Sequence, residues 1–169
     1  VDLENDKIHP TKKFRPIANG DIKILNSKII AILLILISFS YIYFFEKKEL
    51  IFIFALYLVL NLIYTFFLKK KFLLDVVILV SFYIIRIYIG SISSEIVVSF
   101  WLILCSLFFF ASLAFLKRAN DINKYSYISN FNRGYNNDHF NLIKNLFILC
   151  GILTIFIFVL YINFSNKIN

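Results

Sequence analysis

Charged residues cut this chain into five apolar runs: Ile29 to Phe45, Leu50 to Leu68, Phe72 to Ile92, Ile96 to Leu116 and Leu142 to Ile162, the last entered through Lys144 and Asn145. At ~1.5 Å rise per residue, runs of this length reach roughly the ~30 Å of a bilayer's hydrocarbon core. Only helices or closed barrels satisfy their backbone groups there. None of the runs alternates apolar and polar positions as a barrel strand does. The pattern predicts an all-α integral membrane protein with five spanning helices visible. Two long polar segments, 1–28 and 117–141, flank or join the spans, while Glu46 to Glu49 and Ser93 to Glu95 are minimal turns.

Composition sharpens this. Of 169 residues 60% are hydrophobic and 19% aromatic, and the mean hydropathy is +0.81, more apolar side chain than one soluble domain of this size can bury. The first 28 residues mix acids, bases and two prolines and offer no small-residue cleavage site, so they do not read as a signal peptide. With no Met in the chain and acids from the second residue on, an internal fragment is expected.

Lys and Arg collect in cytoplasmic loops. If the spans alternate direction, fourteen of the eighteen basic residues fall on one face: six in 1–28, Lys69 to Lys71, then Lys117, Arg118, Lys124, Arg133 and Lys144. Lys47, Lys48 and Lys167 fall on the other, and Arg86 lies inside a span. Both long polar segments are therefore expected on the cytoplasmic side, and so is any site built from them. The net charge of +8 suits anionic lipid or a phosphorylated substrate as well as the positive-inside bias itself. No basic face is interleaved with aromatics outside the spans, so nucleic acid is not expected as a partner. Cys105 and Cys150 lie in spans without metal or redox spacing and read as packing residues.

Four groups of polar residues ask for a reason. Asp2 and Asp6, four apart, share a face if the segment before Pro10 is helical, and paired carboxylates with hard oxygens suit Mg²⁺. His9, Lys12, Lys13 and Arg15 follow at once, so groups that could hold a metal abut groups that could hold a phosphate. A solvated acidic helix end with juxtamembrane cations is the plainer alternative. Arg86 inside the third span should face the bundle or a polar cavity and have a partner, either in a functional role or in a structural ion pair. Asp75 lies on the same helical face but ~16 Å away, and as an acid behind Lys69 to Lys71 it is open to a helix-capping role. Lys117 and Arg118 are either snorkelling anchors or phosphate ligands, with Asp121 at i, i+3 from Arg118 as a further metal or phosphate-ordering group. Arg133, Gly134, Tyr135 and Asp138 form a polar patch, and Trp101 reads as an interface anchor.

Asp2, Asp6, His9, Pro10, Lys12, Arg15, Pro16, Ile17, Ala18 and Gly20 keep the register of one motif. It resembles the second half of the first aspartate-rich motif of UbiA-type intramembrane prenyltransferases, Asn-Asp-x-x-Asp-x-x-x-Asp followed by His-Pro-x-Lys-x-x-Arg-Pro. Leu74-Asp75 with Arg86 and Gly90, then Ser99, Trp101 and Leu102, then Lys117, Arg118 and Asp121, resemble the polyprenyl-phosphate phosphoribosyltransferase-like branch, where Glu is usual at the Asp121 position. Arg133-Gly134-Tyr135 with Asp138 is similar to a segment of bacterial members. The Asp-x-x-x-Asp motif of aromatic-acceptor members is missing after the fourth span, which disfavours a 4-hydroxybenzoate polyprenyltransferase-like activity.

The resemblance implies a bundle of about nine helices, with two missing before Val1 and about two after Asn169, in a bacterial inner membrane. It implies Mg²⁺-dependent transfer with diphosphate as leaving group, from phosphoribosyl diphosphate to a polyprenyl phosphate lying between spans. Asp2, Asp6 and Asp121 would hold metal and serve catalysis. Lys12, Arg15, Arg86, Lys117, Arg118 and Tyr135 would bind substrate. A non-catalytic membrane protein that binds lipid head groups with its charged loops is the alternative from a different class.

Overall fold

The computed structural model describes residues 3–8, 11–45, 47–125, 135 and 137–165. Among the described residues seven α-helices follow one another: α1 (Leu3–Ile8), α2 (Pro16–Asn19), α3 (Ile24–Phe45), α4 (Lys48–Phe66), α5 (Leu74–Ser94), α6 (Phe100–Tyr125) and α7 (Phe140–Ser165). Single 3₁₀ turns lie at Lys12–Phe14, Leu68–Lys70 and Asn137–His139. No strand occurs among the described residues. Helices α3 to α7 are each long and apolar enough to cross a membrane.

The chain divides into two compact units, Val1–Phe52 and Ile53–Asn169. In the first, α1, the Lys12–Phe14 turn and α2 pack together. Pro16 opens α2, where its missing N–H costs nothing, and Gly20 closes it at φ 92°, a left-handed conformation that glycine adopts without a Cβ clash.

In the second unit the side-chain pairings give the helix directions. Tyr57 and Tyr64 of α4 meet Phe82 of α5, and Tyr57 reaches on to Arg86. Asp75 meets Arg118 while Tyr83 stacks on Phe110 at 4.1 Å, so α5 and α6 run antiparallel. Trp101 lies against Tyr161 and Phe164, and Ser112 against Phe147 and Gly151, so α6 and α7 are antiparallel too. The core lies between α5, α6 and α7, where Val76, Val80, Phe115, Ala119, Ile143 and Cys150 are buried. Most other apolar side chains of the spans face outward, as expected of helices solvated by lipid.

Helix ends differ from the expected spans. Helix α3 starts at Ile24, five residues before the apolar run, because Asn26, Ser27 and Lys28 are polar yet compatible with helix. Helix α5 starts at Leu74, since Leu73 takes a positive φ of 59° that no helix contains. The largest difference is in α6: residues 117–125, expected within a polar loop, continue the helix to Tyr125. Lys117, Arg118 and Asp121 therefore stand on a rigid element.

Candidate functional site

The first unit holds one group of expected site residues. Helix α1 bears out the helical reading of the segment before Pro10, and Asp6 lies on it; Asp2, His9 and Pro10 fall outside the described residues. Asp6 is largely enclosed, its side chain 16% exposed, and its Oδ2 accepts a hydrogen bond from Arg15 Nη1 at 2.8 Å. Arg15 is held there by the 3₁₀ turn before it, its backbone N–H donating to the carbonyl of Lys12. Lys13 lies 5.1 Å from the ring centre of Phe14, and Lys12 is half-buried. An acid and a base of the same motif, nine residues apart, are thus neighbours through folding.

The second unit builds a tighter cluster where the start of α5 meets the far end of α6. Asp75, in the first turn of α5, has no exposed surface, and Arg118 is 1% exposed. Arg118 Nε donates to Asp75 Oδ2 at 2.5 Å, and its Nη1 donates to Asp121 Oδ2 at 3.2 Å, the latter pair at the expected i, i+3 spacing. The Tyr135 hydroxyl donates to Asp75 Oδ1 and accepts the backbone N–H of Leu73 at 3.3 Å. The Tyr135 ring packs edge-on against Phe72, and Phe72 in turn against His139. Burial first, then the hydrogen bond and charge of Asp75, push the Tyr135 hydroxyl well above the usual phenol range.

Two expectations are corrected by this geometry. Asp75 is no mere helix cap: it receives one side chain from α6 and one from the segment after it. Arg118 is no snorkelling anchor, since its guanidinium turns inward, and with Nε and Nη1 committed to carboxylates it orders the cluster from behind. Lys117 and Asp138 are exposed and Asp121 is partly so, its side chain 23% exposed. Arg133 and Gly134 fall outside the described residues.

Arg86 has a partner, as its place in a span demands, but the partner is not an acid. Its Nη2 donates to the Tyr57 hydroxyl at 2.7 Å, and its guanidinium lies 5.6 and 5.4 Å from the ring centres of Tyr57 and Tyr83. Cys105 and Cys150 are unpaired thiols, Cys150 buried at the α6–α7 contact. Among the described residues no three His, Cys, Asp or Glu side chains gather as a metal nest.

Residues 1–168 match the UbiA prenyltransferase family. The chain belongs to that family. With its five apolar helices, this UbiA member is an integral, multi-pass membrane protein. It is 36% identical over 107 residues to decaprenyl-phosphate phosphoribosyltransferase of Mycolicibacterium smegmatis, a match covering 63% of this chain and 33% of the relative. Against the enzyme of the same name from Mycobacterium tuberculosis, identity is 32% over 107 residues, 63% of this chain and 35% of the relative. An uncharacterized protein, y4nM of Sinorhizobium fredii, is 34% identical over 118 residues, 70% of this chain and 23% of the relative. This UbiA chain spans about a quarter to a third of the length of these relatives.

Proposed function

We propose that this chain is part of a Mg²⁺-dependent UbiA-family transferase that joins a polyprenyl phosphate to the ribosyl group of phosphoribosyl diphosphate. The observation that carries this reading is the end of α6, where Lys117 is exposed beside an Asp121 held by Arg118 and where the second aspartate pair of aromatic-acceptor enzymes is missing. The names of the mycobacterial relatives support the same substrate pair.

In the proposed reaction a phosphate oxygen of the lipid attacks the anomeric carbon of the sugar. The carbon–oxygen bond to diphosphate breaks, and diphosphate leaves with the electron pair. Lys12 and Arg15 in the first unit and Lys117 in the second would bind phosphate oxygens. The donor set fits Mg²⁺: Asp6 offers hard carboxylate oxygens beside a guanidinium, the mixture that a metal-bound diphosphate requires. Asp2 and Asp6 would hold the ion, which when bound stabilises the negative charge developing on the leaving group, and Asp121 would complete a second metal site or orient a hydroxyl. Asp121 is partly exposed and has its Oδ2 already tied to Arg118, so its direction would be fixed before substrate arrives. We place these polar ends on the cytoplasmic face of a bacterial inner membrane, as the basic residues direct.

The test is Mg²⁺-dependent diphosphate release in membranes carrying the complete gene product. Release with phosphoribosyl diphosphate plus polyprenyl phosphate, and none with prenyl diphosphate plus an aromatic acid, is the expected result. Release only with the second pair overturns the substrate assignment. Silence with both favours the non-catalytic, head-group-binding alternative.

A further inference from the structure

A carboxylate closed off from water persists only with charged and hydrogen-bonding partners, and replacing such a set with apolar residues commonly costs a fold nothing. Asp75, with no exposed surface, has Oδ2 taken by Arg118 Nε and Oδ1 by the Tyr135 hydroxyl. This arrangement calls for a reason other than stability, and the geometry offers one. A guanidinium is a rigid plane, so gripping Nε fixes the direction of both terminal nitrogens. One of these, Nη1, reaches the partly exposed Asp121. The grip is itself fixed: Leu73, at φ 59°, turns its N–H onto the same Tyr135 hydroxyl that donates to Asp75, two residues further on. Orientation thus passes from the start of α5 through Asp75 and Arg118 to Asp121, the outermost carboxylate of the cluster.

We infer that Asp75 is a positioning residue of the transferase, touching no substrate and setting Asp121 through Arg118. This inference rests on the proposed phosphoribosyl transfer, and the experiment separates the two. In the complete protein, Asp75→Asn keeps the shape and removes the charge. Misplacement of a reacting group by ~1 Å costs about 100-fold. The expected result is a fall in kcat of that order per folded molecule, with KM for phosphoribosyl diphosphate within about threefold of wild type. Because Asp75 acts through Asp121, Asp75→Asn placed in an Asp121→Asn background should cause no further loss.

A merely structural Asp75 would lower the yield and thermal midpoint while leaving kcat per folded molecule unchanged. That result, or additive losses in the double variant, overturns the inference. If Asp75→Asn does not fold, Tyr135→Phe removes one of the two holds on the carboxylate and should give a smaller kcat loss, about tenfold, that is again absent without Asp121. Wild-type protein inactive on both substrate pairs refutes the functional reading and this one with it. Turnover with the aromatic pair alone refutes the phosphoribosyl assignment, and the same kcat comparison on that pair then decides the role of Asp75.

Discussion

Arg86 lies about 18 Å along α5, near the middle of its span by the ~1.5 Å rise per residue. An arginine at that depth carries an insertion cost of ~2.5–3.5 kcal/mol. The Tyr57 hydroxyl returns part of it, since a hydrogen bond to a charged group contributes ~1.5–3 kcal/mol, and the rings of Tyr57 and Tyr83 add ~0.5–2 kcal/mol each as cation–π partners. Tyr57→Phe removes the oxygen and keeps the ring, so about 1.5–3 kcal/mol should be lost. Arg86→Met removes both the cost and its compensation, leaving only the Tyr57 hydroxyl without its donor, so its net effect should stay under about 1 kcal/mol. The conservative change is therefore expected to harm the fold more than the drastic one. Thermal unfolding of both variants in lipid nanodiscs reads the order directly. A silent Tyr57→Phe, or an Arg86→Met that is the more damaging of the two, would show that water or an acid from elsewhere already satisfies Arg86 and would sink the reasoning.

Asp6→Asn should cut Mg²⁺-dependent turnover of the complete protein at least about 100-fold, the scale of removing one preorganised electrostatic group, whereas mere head-group binding by Lys and Arg would not respond. The Tyr135 hydroxyl should stay protonated at a pH where ordinary tyrosines ionise, visible as no tyrosinate absorbance in the wild type minus Tyr135→Phe difference spectrum at about pH 10. Because its folded value is raised, its contribution to stability is present below the ordinary phenol range and lost as pH climbs through the raised value; stability differences between those two proteins that instead vanish on acidification would contradict this. A Cβ on Gly151 would lie 3.6 Å from Ser112 Oγ, an ordinary contact, so Gly151→Ala should be neutral or stabilising by up to about 1 kcal/mol. Gly151→Leu should instead force α6 and α7 apart and lower the thermal midpoint.

Apolar run lengths located all five long helices, because a bilayer imposes one length on everything that crosses it. They misplaced the ends, because hydropathy reports depth in lipid and not where backbone hydrogen bonds stop. Lys117, Arg118 and Ala119 are good helix formers, and Phe115, Ala119 and Ile122 keep a buried face at one-turn spacing, so α6 continues where the unbroken apolar run has already ended. The Arg118–Asp121 pair was readable, being one helical turn apart. Asp75 was not, since its partners lie 43 and 60 residues further on and meet it only when α5 and α6 pack antiparallel. For Arg86, its place along a span foretold a partner without foretelling its type, and tyrosine met the need through a hydroxyl and two ring faces.

Because α6 runs unbroken past its apolar stretch to Tyr125, Trp101 and Arg118 ride on one continuous rod, ~26 Å apart. Trp101 is wedged against Tyr161 and Phe164 at one end, and the charged cluster hangs from the other. Helices answer a thicker or thinner bilayer by tilting. With a lever of that length, a tilt of ~5° about the aromatic end would carry Arg118 and Asp121 through ~2 Å, more than a reacting group tolerates. Helix α6 thereby makes lipid thickness a variable of the site's geometry, opposed by the hold that Asp75 keeps on Arg118 from the neighbouring helix.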